Sequence, residues 1–266
     1  MEVIASRKNP LVLMMRRAAA GDEPDRMVLD GQHLVEEARA ARVPLAAVAF
    51  ASRTLATPDG RIRRLATTLA GTGVRVVQVS DAVMAAMSPT TTPSGVIALA
   101  ARPRHTLANV LAKSPALLVV AIDVQDPGNV GAMARVAEAA GATGLIAAGT
   151  SADPFGWKAL RGSMGSALRL PIVREPSVQE LLSALAAHGI KRVATAPGAP
   201  IPFDRYDWRQ PTACLVGSEG LGLPPEVFAE ADARVSIPME PPVESLNVAV
   251  STALLVYEAR RARMRG

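Results

Sequence analysis

The sequence predicts an α/β protein built as two consecutive domains, residues 1–106 and 107–266. Three observations carry this. Over the first hundred residues, short apolar runs alternate with amphipathic helical stretches, the pattern of a small α/β layer. At 117–124 the chain is apolar almost throughout, as in a parallel-sheet strand buried on both faces. At 213–225 an apolar strand runs into a glycine-rich turn and then a helix opened by prolines. That arrangement leaves backbone N–H groups to meet a ligand.

Composition narrows the class. Hydrophobic residues make up 49% of the chain but aromatic residues only 3%, so Ala, Val and Leu must fill the cores. So few rings argue against stacking platforms for single-stranded nucleic acid. The single cysteine, Cys214, excludes an intrachain disulfide and suits a reducing cytoplasm. Its place in an apolar strand makes it core rather than nucleophile. His33, His105 and His188 lie far apart, so no metal site is expected. The N-terminus lacks an apolar stretch with a cleavage site, and the longest apolar runs are too short to cross a bilayer. A soluble, cytoplasmic protein without membrane contact is expected.

The net charge of +5 is uneven: residues 1–113 carry 15 basic and 9 acidic groups, and 114–266 carry 14 and 15. A basic excess on the first part is what a module meeting a polyanion shows, although an arginine-rich surface is the plain alternative.

In the first domain a helix is expected within 4–17, with Arg7, Lys8, Arg16 and Arg17 as candidate phosphate contacts or a solvated face. Strands at 26–29, 45–50, 74–79 and 95–100 alternate with helices at 32–41, 61–70 and 81–87. Leu34, Val35 and Ala38, and then Ile62, Leu65 and Leu69, fall on single helical faces.

In the second domain Asp126-Pro127-Gly128-Asn129 breaks the apolar strand before a helix over 130–140 and a strand over 144–148. The missing G-x-G-x-x-G spacing weighs against a dinucleotide-binding dehydrogenase. Arg135 is conspicuous between Ala134 and Val136 of an Ala-rich helix, and Asn129 is either a cap or a site residue. A helix over 157–171 carries Arg161 and Ser163-Met164-Gly165; a helix at 178–188, a strand at 192–196 and a loop at 197–210 follow. After a strand at 233–237 and a proline-rich loop, a long helix begins at Glu244-Ser245-Leu246-Asn247, with Ser245 as its expected N-cap. Leu246, Val250, Leu254 and Tyr257 form its expected buried face, leaving Val248, Leu255 and Val256 as a surplus for an interface. The basic stretch 259–266 either touches a polyanion or complements the helix dipole.

Three ordered stretches carry a resemblance. Asp126-Pro-Gly-Asn-Val-Gly-Ala-Met-Ala-Arg135, LVGSEGLGL and IPMEPPVESLNVAVSTALLVYEA resemble the three motifs of the SpoU (TrmH-type) RNA ribose 2′-O-methyltransferases, in the SPOUT superfamily. Leu29-Asp-Gly-Gln-His-Leu-Val-Glu-Glu-Ala38 and Thr92-Pro-Ser-Gly-Val-Ile-Ala98 are similar to the N-terminal substrate-binding domain that part of this family carries, itself like a small ribosomal RNA-binding protein.

The resemblance implies a C-terminal parallel-sheet domain with a deep trefoil knot, which nothing in composition or periodicity indicates. It implies S-adenosyl-L-methionine as cofactor, with Gly217, Ile237 and Leu246 at it and Ala196, Leu215 and Met239 as wall residues. Asn129, Arg135, Glu219, Ser245 and Asn247 match the family's polar catalytic set, and Arg161 joins the RNA-binding residues. Arg135 has been cast as general base in such enzymes. Arginine rarely gives up its proton, so orienting the 2′-OH through a neighbouring phosphate is chemically easier. The implied partners are RNA, most simply 23S ribosomal RNA, and a second copy of the chain, with no metal. A tRNA ribose methyltransferase is the alternative within the family, disfavoured by the N-terminal domain. An RNA-binding protein without catalysis is the alternative outside it, disfavoured by the intact polar set.

Overall fold

The computed structural model describes residues 1–264 except Asp59 and Glu219. The chain forms two compact units: Met1–Pro103 together with Phe155–Leu168, and Arg104–Pro154 together with the chain from Arg169 onward.

The first unit runs β1 (Glu2–Ile4), α1 (Pro10–Ala20), β2 (Arg26–Asp30), α2 (Gln32–Ala40), β3 (Leu45–Ala51), α3 (Ser52–Leu55), α4 (Arg61–Ala70), β4 (Arg75–Val79), α5 (Asp81–Met87) and β5 (Val96–Ala101). Among the described residues its sheet has the order β1-β4-β3-β5-β2. β4 pairs parallel with β1 and β3, whereas β5 pairs antiparallel with β3 and β2. The helix expected over 4–17 is instead a strand followed by a later helix. Asn9 keeps extended backbone, its side chain accepts the Leu11 N–H at 2.9 Å, and Pro10 takes the first helical position. Val12 and Met15 of α1 and Met84 and Met87 of α5 pack with Val28, Val77, Ile97 and Leu99 of the sheet.

The second unit contains α6 (Leu107–Leu111), β6 (Leu117–Ile122), α7 (Pro127–Ala140) and β7 (Gly144–Ala148). The chain then gives α8 (Trp157–Ser163) to the first unit, where α8 packs on β2. α8 is shorter than the helix expected over 157–171. Met164 takes a left-handed φ of 51° and Gly165 one of 94°, and a short 3-10 turn, Ser166–Leu168, follows. A Cβ on Gly165 would meet Glu37 Cγ at 2.7 Å, so a side chain there has no room.

Returning to the second unit, the chain forms β8 (Ile172–Glu175), α9 (Val178–Ala187), β9 (Lys191–Thr195), β10 (Ile201–Pro202), β11 (Thr212–Val216), α10 (Pro225–Glu230), β12 (Ala233–Ser236) and α11 (Val248–Met264). Among the described residues the sheet has the order β10-β12-β9-β11-β6-β7-β8, and every pair is parallel. The expected parallel α/β class therefore holds. All six residues of β6 are buried, because helices cover both faces. Leu118, Val120 and Leu215 point to the face of α6, α9 and α10, in one cluster with Val110, Leu182 and Val227. α7 and α11 pack together and against β6.

The strand order reverses at β6. The chain first builds outward through β7 and β8, then crosses to β9 and returns to insert β11 between β9 and β6. Because all these strands are parallel, the ends of β6, β9, β11 and β12 open at one edge, where ligands bind in such sheets.

The C-terminal stretch is structural where it is described. Arg263 donates to the carbonyl oxygens of Trp208, Ala116 and Gln210 at 2.7–2.9 Å, and Arg261 pairs with Glu258. Trp208, for which the sequence assigns no role, is fully buried; its indole N–H donates to the Phe203 carbonyl at 2.7 Å, and the Tyr206 ring meets it edge-on at 4.9 Å.

Candidate active site

Three strand ends, those of β9, β11 and β12, build the cavity of the site. β11 leads into Gly217-Ser218, and the loop closes when the Gly222 N–H donates to the Ser218 carbonyl at 3.0 Å. A Cβ on Gly217 would stand 2.2 Å from the Gly222 carbonyl carbon and oxygen, so only glycine lets the loop fold back on itself. Thr195, at the end of β9, donates its hydroxyl to the Leu215 carbonyl at 3.1 Å and ties those two strand ends together. The chain after β12 passes Ile237 and Met239 and returns through Ser245 and Leu246 to α11.

Between these segments lies a cavity of about 500 Å³. Ala196, Gly217, Ile237, Met239 and Leu246 line it. Leu215 does not: it is fully buried in the sheet, one residue short of the strand end, with its side chain in the core cluster. Ser245 lines the cavity and is exposed, but it is not the helix cap. Thr195, Ser218 and Ser251 also line it and were not picked out from the sequence, and Val248, which the sequence reading left for an interface, lines it too. Thr195 and Ser218 sit at strand ends beside motif residues, a signal that could have found them.

α11 starts at Val248, and Asn247 caps it. The Asn247 side-chain oxygen accepts the N–H of Ala249 at 2.9 Å and, more weakly, that of Val250 at 3.4 Å. With that oxygen committed, its amide donates to Asn129 Oδ1 at 3.0 Å. Asn129 in turn is not the cap of α7. The helix begins three residues earlier than expected, with Pro127 at its first position and Asp126 as cap, accepting the Asn129 N–H at 2.9 Å. Asp-Pro is itself a start signal for a helix.

Arg135 is exposed on α7, and no described side chain pairs with it. Gly128 and Gly131 lie seven and four residues before it on the same face. Glu219 lies outside the described residues. Cys214 is fully buried, and burial pushes its thiol up to about 12, against the opposing charge of Arg263; it is no nucleophile at neutral pH. Among the described residues no group of His, Cys, Asp and Glu is placed to hold a metal ion.

The candidate RNA-binding residues sit in the first unit. Arg7, Lys8, Arg16 and Arg161 are exposed. Arg7 and Arg16 share a groove of about 570 Å³ whose floor includes Ala19 and Ala20 of α1 and Ala85 and Ala86 of α5. Arg17 is engaged at 3.0 Å by Glu23.

Comparison with known proteins agrees with this geometry. Residues 116–257 match the SpoU rRNA Methylase family, and residues 13–98 match the MRM3-like substrate binding domain. The chain is 32% identical to the 23S rRNA (guanosine(2553)-2'-O)-methyltransferase RlmP of Bacillus subtilis, over 98% of this chain and 100% of that one. A crystal structure described as an RNA 2'-O ribose methyltransferase superposes with a TM-score of 0.82 at 32% identity, over 98% of this chain and 99% of the other. The SpoU methyltransferase AviRb from Streptomyces viridochromogenes, solved in complex with the cofactor AdoMet, superposes with a TM-score of 0.85 at 26% identity, over 97% of this chain and 100% of that one. Both domains and their order are thus shared along nearly the whole length, and the chain belongs to the SpoU rRNA methylase family.

Proposed function

We propose that this chain is an S-adenosyl-L-methionine-dependent ribose 2′-O-methyltransferase of 23S ribosomal RNA, working in the cytoplasm as a homodimer. The observation that carries the reading is the Asn247–Asn129 hydrogen bond, which holds the start of α11 at the cavity against the start of α7 with its exposed arginine. The likeness to RlmP and to cofactor-bound AviRb supports it.

The cavity suits the cofactor. Its volume of about 500 Å³ is that of a nucleoside site, its walls at Ile237, Met239 and Leu246 are apolar, and the Gly217 loop offers bare backbone. Ala196, Gly217, Ile237, Met239 and Leu246 would hold it; Leu215 would support the strand behind them. When bound, S-adenosylmethionine supplies a methyl group on a sulfonium, an electrophile ready for transfer.

The chain's own residues do the positioning. The Arg135 guanidinium grips the phosphate beside the target ribose, fixing the 2′-OH. Ser245 offers a hydroxyl at the cavity edge to hydrogen-bond that ribose. Asn129 and Asn247 hold the two helix starts in register, and Glu219, assigned by its motif, completes the set. Residues 1–106 supply the grip on RNA through Arg7, Lys8 and Arg16, with Arg161 from α8; Arg17 contributes less because Glu23 already offsets its charge. Residues 107–266 supply the chemistry. The trefoil knot belongs to the same reading, supported by the insertion of β11 between β6 and β9 and the return of α11 onto α7. Among the described residues no helix is long and apolar enough to cross a membrane.

The test is to map ribose methylation in 23S RNA with and without the gene, and to repeat it in vitro with purified protein. One alkali-resistant linkage should appear only with protein and S-adenosylmethionine. Label recovered on a base, or transfer to tRNA alone, would overturn the proposal.

A further inference from the structure

The chain has two tryptophans, and they differ sharply. Trp208 is fully buried and its N–H is satisfied within the fold. Trp157 is partly exposed at the first position of α8. The Lys158 ammonium lies 5.5 Å from the centroid of its ring. Arg161 follows one helical turn later and is exposed. No described carboxylate pairs with Lys158 or Arg161, whereas Arg17, Arg53, Arg61 and Arg75 of the same unit each form an ion pair. The platform under this surface is fixed. Ala159, Leu160 and Ser163 are buried, Ser163 donates to the Leu160 carbonyl at 2.9 Å, and His33 Nε2 meets the Met164 carbonyl at 3.3 Å.

We infer that Trp157, Lys158 and Arg161 form a contact for the RNA substrate, in which the indole stacks on an unpaired nucleobase and the two cations take flanking phosphates. The inference rests on the proposed RNA methyltransferase function. It departs from the expectation, drawn from the low aromatic content, that argues against stacking platforms: one partly exposed ring beside two cations with no described carboxylate partner suffices for one base. Lys158 already covers the ring, so a base must displace it. Base–aromatic stacking is worth about 5- to 150-fold in affinity, against about 2- to 5-fold for an exposed cation–π contact. The base therefore wins, and the displaced ammonium moves to the adjoining phosphate. Because α8 is already ordered, little freedom is lost on binding.

The two tryptophans make the test direct. Full-length protein is titrated with deproteinised 23S ribosomal RNA while tryptophan emission is followed. Saturable quenching is expected in the wild type and should vanish in Trp157→Phe, which leaves only the shielded Trp208. Trp157→Ala should bind this RNA about 5- to 150-fold more weakly, and Lys158→Ala and Arg161→Ala should each lower the slope of log affinity against log salt by about 1. Quenching retained in Trp157→Phe, or wild-type affinity in Trp157→Ala, would overturn the stacking contact while methyl transfer by the wild type leaves the enzyme reading standing. A wild-type protein that neither binds nor methylates 23S RNA would remove both.

Discussion

Asn247 joins the two helices of the site with both ends of one amide: its oxygen caps α11 and its nitrogen donates to Asn129 at 3.0 Å. The cap fixes which way the amide faces, so the donor side has one possible direction. Asn247→Asp separates the two roles. An aspartate still accepts the Ala249 N–H and suits a helix N-terminus, so stability should stay within about 0.5 kcal/mol of wild type. It cannot donate to Asn129, however, and methyl transfer should fall at least about tenfold. Asn247→Ala loses the cap as well and should cost about 1 kcal/mol in addition. Urea unfolding alongside single-turnover methylation checks both; full activity in Asn247→Asp would mean that the Asn247–Asn129 bond has no part in catalysis.

Arg135 contributes nothing visible to folding, being exposed and without a described partner. Arg135→Ala should leave the thermal midpoint almost unchanged, since surface changes of this kind stay within about 0.5 kcal/mol. Binding of S-adenosylmethionine should also persist. Methyl transfer should fall by about 10²–10³, the cost seen when one preorganised hydrogen-bond donor is removed from an active site. Calorimetric titration of the cofactor beside a methylation assay checks this, and unchanged turnover would take Arg135 out of the mechanism.

Gly217 and Asn247 were legible as special positions in the sequence because their chemistry admits few substitutes. Gly217 must be glycine, and asparagine both caps and donates. What the sequence hid depends on distant contacts or on choices between near-equal options. Ser245 and Asn247 are both good caps, and only the path of the preceding proline-rich loop decides between them. β1 is three residues long, too short to show a period. That Phe155–Leu168 packs with the first unit leaves no local trace in those residues. α11 is apolar nearly all round over its first turns, so periodicity could not select the buried stripe.

Gly217 tests the loop that walls the cavity. A methyl added there would meet the Gly222 backbone at 2.2 Å, which no rotamer relieves. Gly217→Ala should therefore displace the loop and weaken S-adenosylmethionine binding at least about tenfold by calorimetry. Gly220→Ala is the control for the fold: its Cβ would meet nothing within 4 Å and its φ is not positive, so the thermal midpoint should not move.

Asp232 makes the site's support sensitive to acid. Burial raises its carboxyl, but the hydrogen bonds and charge of Arg192 outweigh this and hold it below the usual value of 3.8. The carboxylate accepts from Arg192 N and Nε at 2.9 Å each, fastening the start of β12 to β9. A depressed folded-state value gives stability that is present above the unfolded value and lost as pH falls through the folded one. Asp232→Asn should thus be less stable than wild type near neutral pH, by at most about 1 kcal/mol for a pair this exposed. The gap should close below pH 3.8, as urea unfolding across an acid series would show. A gap that widens toward low pH would contradict the assignment.

The faces of α11 bear on the proposed homodimer. The sequence expectation put Val250, Leu254 and Tyr257 in the core and left Val248, Leu255 and Val256 for an interface; the structure reverses this. Val248, Thr252, Leu255, Val256 and Ala259 are buried against the second unit's own core. Val250, Leu254 and Tyr257 are 49%, 37% and 49% exposed, spaced four and three residues apart along one stripe. An exposed apolar row of this kind is what an isologous pair would cover. Leu254→Glu places a charge at its centre without touching the core, so the folded protein should become monomeric in sedimentation velocity at micromolar concentration. Leu255→Ala, by contrast, empties a fully buried position and should cost about 2–5 kcal/mol of stability, with any loss of association following only from unfolding. If the wild type sediments as a monomer with full activity, the homodimer falls. If Leu254→Glu remains a dimer, the dimer stands but its interface lies on another face.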